Sequence, residues 1–286
     1  MNIPETTWFG TSLGRWLLEE ECGRCRKLIP AGYYPSALQI GLPERNYFRA
    51  LDDVEVGTRF LALPTLESMS LMEHGPGGDN DAQAFRAMIA QPGALPFGEK
   101  AHSLIVLPHA LDFCDDPHRV LREVNQILVP EGCVVITGFN QISLWGLHRL
   151  ASGSRFGNVR PLPWSGRQHY RAGRVQDWLS LLGIDIVGAC MLAYQLPLQN
   201  PRWRDKLDFM DRMGGRWWPG LGAVYMIVGR KREFASGASG KRLAWRRFIP
   251  AIARPAVTAS RIPVSHAGTS PRDRLRLVSD DLARNA

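Results

Sequence analysis

Two polar side chains follow an apolar run near the middle of the chain and are the first candidates for chemistry. The run from Ser103 to Pro108 is followed by His109 and, three positions later, by Asp112. A histidine changes its charge near neutral pH, so His109 can accept a proton from a substrate atom. Alternatively, His109 hydrogen-bonds a backbone carbonyl and Asp112 begins a turn. Asn140 follows a second apolar run, where its amide either holds a polar substrate group or closes a local turn.

Other motifs exclude several kinds of site. Cys22 and Cys25 have the spacing of half a zinc site, but the sequence holds no second pair at metal-ligand spacing. A redox pair would open a helix after a strand, and no strand is predicted before Cys22. We therefore expect spare thiols and no metal. The glycine-rich stretch 74–81 lacks the Lys-Ser/Thr of a phosphate-binding loop, and no Gly-x-Gly-x-x-Gly follows the first predicted strand, which argues against a nicotinamide enzyme.

The elements that position His109 and Asn140 form a predicted β-α-β unit. Two apolar runs, 103–108 and 133–138, flank a helical pattern. Asp116 can cap the first turn of this helix and Pro117 suits its first position, while Pro130 and Gly132 end the pattern. The predicted apolar face repeats at helical spacing over Val120, Leu121, Val124, Ile127 and Leu128.

Five further apolar runs extend the alternation of strands and helices. They cover residues 36–41, 58–64, 84–90, 184–189 and 223–229, with a predicted helix at 174–182. Seven strands with helices between them predict an α/β fold, namely a doubly wound, mostly parallel, Rossmann-like sheet. Such sheets bind ligands at the carboxyl ends of their strands. The Trp- and Arg-rich segments 142–171 and 194–219 either shape a pocket there or form core under long insertions.

Composition and charge indicate the class of protein and the compartment in which it is expected. The 286 residues are 45% apolar and 22% charged, which is typical of a globular protein. No apolar run approaches the length of a membrane span, no secretory signal is visible, and five scattered cysteines favour a cytoplasmic location. Residues 234–286 hold ten Lys or Arg against three Asp, so they carry +7 of the net charge of +8. We predict a disordered tail, which either contacts nucleic acid or another anionic partner through charge or is a solvated end without function.

Residues 93–140 resemble the central block of the class I S-adenosylmethionine-dependent methyltransferases of type 11. The subgroup most similar is a set of uncharacterised bacterial proteins with a GFNxxSLWGL segment, here Gly138 to Leu147. Besides the strand 104–107, the matching positions are Leu95, Pro96, Phe97, His109, Leu111, Pro117, Leu121, Glu123, Leu128, Pro130 and Gly132. The resemblance covers about residues 34–233. It implies an enzyme with S-adenosylmethionine as cofactor and a small-molecule or macromolecular methyl acceptor.

The resemblance also implies where the cofactor and the acceptor lie. The cofactor is expected against Gln39, Gly41, Gln91, Ala94, Leu95, Pro108 and His109, and the acceptor near His109, Asp112 and Asn140. The chain departs from the family pattern in three respects. One glycine, Gly41, is left of the glycine-rich turn, and it either lets the cofactor approach or forms only a strand-to-helix turn. Glutamines replace the acidic residues at positions 39 and 91, and Gln39 either stands in for the missing carboxylate or is a surface strand residue. Glu67 lies late for a ribose ligand.

These departures keep a second hypothesis open, that of a methyltransferase-like binding or regulatory module without catalysis, with the basic tail as its contact. The expected organisation is an N-terminal extension (1–33), a methyltransferase-like domain (34–233) and the basic tail (234–286).

Overall fold

A seven-stranded sheet lies at the centre of the chain, flanked by helices on both faces. The computed structural model describes residues 8–42, 45–51, 54–66, 68, 86–146, 169–197 and 201–232, all within one compact unit that spans residues 1–251. The strands are β1 (Gly32–Ile40), β2 (Val54–Leu63), β3 (Arg86–Ile89), β4 (His102–Pro108), β5 (Leu128–Phe139), β6 (Ile184–Leu192) and β7 (Val224–Lys231). The helices are α1 (Ser12–Leu28), α2 (Ala110–Phe113), α3 (Pro117–Ile127), α4 (Ala172–Leu181) and α5 (Pro201–Trp217).

The order of the strands is β3-β2-β1-β4-β5-β7-β6. The pairs from β3 to β5 are parallel, whereas β7 runs antiparallel to both β5 and β6. All seven predicted strands are present, so the predicted fold class is confirmed. The chain winds outward in one direction from β1 and in the other from β4, which makes the gap between these two strands the topological switch point of the sheet.

Two apolar layers hold the helices against the sheet. On one face, α1 contributes a buried stripe that packs on the strands; its apolar members include Leu13, Leu17, Leu18, Cys22 and Cys25. On the opposite face, α3 and α4 bury the residues Val120, Leu121, Val124, Ile127, Val175 and Leu179. Both layers combine strand and helix side chains, as expected for parallel strands that are covered on each face.

Helix α3 begins where the sequence predicts. Asp116 Oδ1 accepts a hydrogen bond from the backbone N–H of Arg119 at 3.0 Å, and Pro117 occupies the first turn. The helix ends at Ile127, before Pro130 and Gly132, because β5 already begins at Leu128. The cap and the apolar stripe therefore position α3 directly below the loop that joins β3 to β4.

The connection from β1 to β2 differs from the expected strand-to-helix turn at Gly41. In the described part of residues 41–53, the regular element is a short 3₁₀ helix, Tyr47–Ala50, and no α-helix appears. This short connection runs beneath α1, which packs against the 3₁₀ helix and already covers this face. Several predictions lie outside the described residues, namely those on Glu67, the loop 74–81, most of 142–171 and the tail 234–286.

Candidate active site at the topological switch point

The ends of β1 and β4 bring four of the predicted site residues to one edge of the sheet. Gln39 of β1 pairs in register with Val106 of β4, so the two strands end side by side. Gln39 and Gly41 therefore lie beside Pro108 and His109. This edge is the switch point, where open α/β sheets bind their ligands.

Gln39 holds the chain segment that follows β1. Its Nε2 donates to the carbonyl oxygens of Leu42 at 2.9 Å and Arg45 at 2.8 Å, with a longer bond to Gly41 at 3.3 Å. Its Oε1 accepts from the backbone N–H of Tyr47 at 3.1 Å. Both ends of this buried amide are thus bonded to the backbone. Gln39 shapes the turn after β1 rather than facing an open site.

Gly41 forms the turn itself. Its φ of +84° lies in the region that side chains other than glycine rarely adopt. No described atom lies within 4 Å of the position that a Cβ would take. The Gly41 N–H donates to the carbonyl of Ala62 at 2.9 Å, which ties the turn to β2. The described atoms thus leave the Cβ position of Gly41 free, although Gly41 itself is buried.

His109 lies in a closed network of buried polar side chains. Its Nδ1 is 3.1 Å from Asp112 Oδ2, and its Nε2 is 2.9 Å from Glu21 Oε1 of α1. Glu21 Oε2 also accepts from the Tyr47 hydroxyl at 2.6 Å. Asp112 Oδ1 lies 3.2 Å from Nδ1 of His169. The network joins α1, the 3₁₀ helix and the ends of β1 and β4 at a single point.

Hydrogen bonds and aromatic rings also fix the backbone around His109. His109 has a φ of +52°, and its N–H donates to Thr137 of β5 at 3.1 Å. Asp112 Oδ2 accepts from the N–H of Phe139 at 2.9 Å. The rings of Phe139 and Phe9 lie 4.1 and 5.4 Å from the imidazole centroid. Apolar rings and backbone bonds together keep water away from this network.

The charges of the network stabilise one another. Burial lowers the pKa of His109, but the Glu21 carboxylate and hydrogen bonds to Asp112 and Glu21 outweigh burial and raise it to about 9. Burial raises the pKa of Asp112, but hydrogen bonds with His109 and His169 outweigh it and hold that pKa below its usual value. His109 is therefore an imidazolium at neutral pH, paired with two carboxylates.

Asn140 closes a local turn at the end of β5. Its Nδ2 donates to the carbonyls of Ile142, Gly220 and Gly222 at 2.8 to 3.0 Å. Its Oδ1 accepts from the N–H of Ile142 at 3.2 Å. These bonds fasten the segment after β5 to the segment before β7, so the amide is engaged by protein rather than directed at an open hollow.

Gln91, Ala94 and Leu95 lie in the turn after β3. The N–H of Ala94 donates to the Gln91 carbonyl at 2.9 Å, and the N–H of Leu95 donates to Glu123 Oε1 of α3 at 3.0 Å. Gln91 is exposed. Ala94 and Leu95 line an open groove of about 600 Å³, whose other wall is α3 with Arg119, Arg122, Glu123 and Gln126. Ala94 and Leu95 thus lie beside α3, in the turn that Gln91 begins.

The structure adds Glu21, Tyr47 and His169 to the residues predicted at this edge. Glu21 carried a signal in the sequence. In α1 the buried positions Leu13, Leu17, Glu21 and Cys25 recur at a spacing of four, so a carboxylate stands within an apolar stripe. A buried carboxylate requires a partner, which here is His109. Tyr47 and His169 carried no comparable pattern.

The described residues add no further chemistry of the kinds considered for the cysteines. Cys22 and Cys25 are free and buried in the core, and burial raises the pKa of Cys22 to about 12. Within the described ranges, no three His, Cys, Asp or Glu side chains are grouped so as to hold a metal ion. In the same part of the chain, no helix is long and apolar enough to cross a membrane.

Comparison with known proteins agrees with the resemblance inferred from sequence. Residues 65–136 match a family model described as a methyltransferase domain. A relative from Escherichia coli (strain K12), an uncharacterized protein named YafS, is 36% identical over 147 residues, which is 50% of this chain and 54% of that protein. The chain thus matches about half the length of this curated relative.

Solved structures share the fold at low sequence identity. An S-adenosylmethionine-dependent methyltransferase from Thermotoga maritima has a TM-score of 0.54 at 14% identity, covering 79% of this chain and 93% of its own. One from Mesorhizobium loti has a TM-score of 0.51 at 15% identity, covering 73% and 96%. The predicted resemblance and the Rossmann-like methyltransferase fold are confirmed. The methyltransferase-domain match indicates an enzyme, and both of these solved structures are described as S-adenosylmethionine-dependent.

The edge fits this cofactor at one strand and is closed at the other. At β1, the positive φ of Gly41 favours glycine, and the described atoms beyond its chain neighbours leave its Cβ position free, although the residue is buried. At β4, His109 is 0% exposed and both ring nitrogens are engaged, one of them by Glu21. The described conformation therefore keeps the backbone geometry of the turn, but it buries both the turn and the end of β4.

Proposed function

We propose that the chain is an S-adenosylmethionine-dependent methyltransferase that works at the edge between β1 and β4, on an acceptor that is a small molecule or a macromolecule. The observation that carries the proposal is the Gly41 turn at the switch point of a methyltransferase sheet. The cofactor, when bound, supplies an electrophilic methyl carbon. The protein then has to orient the reactants and exclude water.

The site residues divide into two groups by what they contact. Gly41 lets the backbone approach the cofactor, and Gln39 fixes the shape of that turn. Gln91, Ala94 and Leu95 border the cofactor from the turn after β3, which Glu123 holds in place. Pro108 and His109 border it at the end of β4.

All five of the chain's cysteines are free, which supports a reducing, cytoplasmic setting.

The acceptor side of the proposed site depends on Glu21. His109 has both ring nitrogens engaged in the described conformation, so it accepts no proton from an acceptor while Glu21 remains in contact. Displacement of Glu21 frees Nε2 and removes the main charge that keeps the ring protonated, so Nε2 can lose its proton while Asp112 still orients the ring through Nδ1. Asn140 contributes by holding the segment after β5 in place. We therefore assign Asp112 and Asn140 positioning roles beside His109.

A matched pair of glycine variants tests the proposed cofactor turn. Gly41 and Gly183 have similar positive φ values of +84° and +75°, but Gly183 lies at the start of β6, on the opposite edge of the sheet. Alanine costs about 1 kcal/mol of stability at either position. A saturating ligand raises the unfolding temperature by several degrees, since 100-fold excess over Kd is worth about 2.7 kcal/mol.

We expect S-adenosylmethionine to raise the unfolding temperature of wild type and Gly183→Ala, and to leave that of Gly41→Ala unchanged. The readout is thermal unfolding with and without the cofactor. A shift that is equal in the two variants would remove Gly41 from the site.

The closed network favours a second candidate, a methyltransferase-like module without catalysis. A buried Glu21–His109 pair fills the place next to the turn, as expected if the fold had become a binding scaffold. In this reading the basic tail would contact an anionic partner through charge alone, and binding would weaken steeply with salt. A wild-type protein that shows no thermal shift with S-adenosylmethionine, and that loses nucleic-acid binding on removal of residues 234–286, would favour this candidate.

A further inference from the structure

Helix α5 exposes a row of large apolar side chains that the proposed function does not use. Phe209, Met213 and Trp217 are 55%, 44% and 64% exposed, and Trp218 directly after the helix is 50% exposed. The first three recur at a spacing of four, which places them on one face of the helix. Large apolar residues scattered singly on a surface are ordinary, but a contiguous set marks an interaction site.

The same face carries positive charge. Arg202, Lys206 and Arg216 are exposed, and their positions fall on the helical face of Phe209, Met213 and Trp217. Asp205 is the one acidic position on this face of the helix, so basic positions outnumber it three to one. Over its whole length α5 holds five Lys or Arg against three Asp. The exposed face thus combines aromatic and basic side chains along a convex surface. We call these six residues the aromatic-basic face.

The opposite side of α5 is anchored to the body of the protein, so this face has a fixed direction. Arg204 is 9% exposed, donates to the Ser12 carbonyl at 3.0 Å and lies over the ring of Trp16. The carboxylate of Asp211 accepts from the N–H of Tyr194. Gly214 lies against the side chain of Tyr194. The aromatic-basic face is therefore the side of the helix turned away from the core.

Charge decides between the occupants that such a face can take. A second copy of the chain would bring its own basic residues against these, and like charges oppose that pairing. The tail 234–286 carries +7 and is repelled in the same way. Single-stranded nucleic acid prefers a basic groove with stacking platforms, whereas this surface is a convex helix. A flat anionic bilayer satisfies both features, since it takes Trp and Phe at its interface and attracts Lys and Arg.

We propose that the aromatic-basic face of α5 docks the protein on an anionic lipid surface, with Phe209, Met213 and Trp217 entering the interface and the basic side chains contacting the headgroups. This docking is independent of methyl transfer. It requires no membrane-spanning helix, because such a helix lies in the plane of the interface. The basic tail adds attraction to the same surface, as a second signal that strengthens an otherwise weak anchor.

The test is cosedimentation of the full chain with vesicles of phosphatidylcholine alone or with 30% phosphatidylglycerol. The test variant is Phe209→Ser with Trp217→Ser, and the control is Leu181→Ser, which removes a side chain that is 85% exposed on α4. Every variant keeps the tail, so the tail contributes equally to each. Binding of the same proteins to a labelled single-stranded RNA is measured in parallel.

We expect wild type and Leu181→Ser to bind the anionic vesicles, and the double variant to bind them at least tenfold more weakly. Vesicles of phosphatidylcholine alone should bind all three proteins weakly. Equal binding of the double variant and wild type to the anionic vesicles would overturn the proposal. It would also be overturned if the double variant lost RNA binding while its vesicle binding stayed unchanged, since the face would then serve nucleic acid.

Discussion

A single buried ion cluster determines the character of the candidate site. Glu21 and Asp112 are each about 1% exposed or less, and both contact the ring of His109. Burying a charge costs several kcal/mol unless a partner compensates for it, and these residues compensate one another. The cluster therefore fixes α1 over the end of β4. The same contacts close the site that the fold offers.

The first prediction at this scale concerns the pH dependence of stability. Because the pKa of His109 is raised from 6.5 to about 9 in the folded protein, its contribution is complete below pH 6.5 and is lost as the pH rises through 9. The lowered pKa of Asp112 acts in a more acidic range and does not interfere. Burial lowers the pKa of His102 to about 4, so His102 adds stability as the pH rises past 6 and offsets part of this loss. We expect the free energy of unfolding, measured with urea, to fall by about 1.5 kcal/mol between pH 6 and pH 8.5.

The variant Glu21→Gln removes the charge that raises the pKa of His109. It should lower the free energy of unfolding by about 3 kcal/mol at pH 7 and flatten the decline between pH 6 and pH 8.5. The matched control is Glu20→Gln, because Glu20 is the exposed neighbour on α1. A Glu21→Gln protein with the pH profile of wild type would show that Glu21 does not set the charge of His109.

The sequence alone identified two members of this cluster, His109 and Asp112. His109 and Asp112 stand out because they follow a buried strand at the edge where ligands bind. Glu21 lies 88 positions from His109 along the chain, so local patterns could not pair the two residues. The apolar stripe of α1 gave one indication of this contact, because it contains a carboxylate among buried apolar positions. Gln39 and Asn140 were found by position, but their bonds to loop carbonyls depend on the fold.

At the scale of elements, α5 shows how neighbouring glycines can differ. A Cβ on Gly214 would lie 2.3 Å from Cγ of Tyr194, at the fixed base of the ring. A Cβ on Gly215 would meet no described atom within 4 Å. Both positions are helical, so the difference lies in packing alone. The close approach at Gly214 is what allows α5 to settle against the segment that follows β6.

This contrast predicts opposite effects of the same substitution. Gly215→Ala should raise the free energy of unfolding by about 0.5 to 1 kcal/mol, because alanine favours the helix. Gly214→Ala should lower it by about 1 to 3 kcal/mol, because the added methyl overlaps the tyrosine. Urea denaturation of the two variants and wild type gives the comparison. Equal effects of the two substitutions would mean that α5 does not pack on Tyr194.

The elements themselves were largely predictable, for a physical reason. Strands buried on both faces leave continuous apolar runs, and α3 carried both a cap and an apolar stripe. The connection from β1 to β2 was not predictable, because the absence of a helix there depends on α1 already covering that face. The direction of β7, which runs antiparallel between β5 and β6, likewise depends on the whole sheet and not on the sequence of the strand itself.

At the scale of the whole molecule, the fold indicates an enzyme, whereas the described site is closed. The strand order and the methyltransferase-domain match indicate a methyltransferase, for which we propose S-adenosylmethionine as the cofactor. The end of β4, however, is closed by α1 through Glu21. The two observations agree if the cofactor binds at the Gly41 turn and displaces the Glu21 contact. Part of the binding energy is then used to open the network, so affinity is modest.

The measurement that tests the central claim most directly is calorimetric titration of the full chain with S-adenosylmethionine and S-adenosylhomocysteine. We expect saturable binding of both ligands in the micromolar range, which corresponds to a binding free energy of about −8 kcal/mol, with one site per chain. Absence of binding to either ligand at millimolar concentration would contradict the proposed enzyme and favour the non-catalytic module.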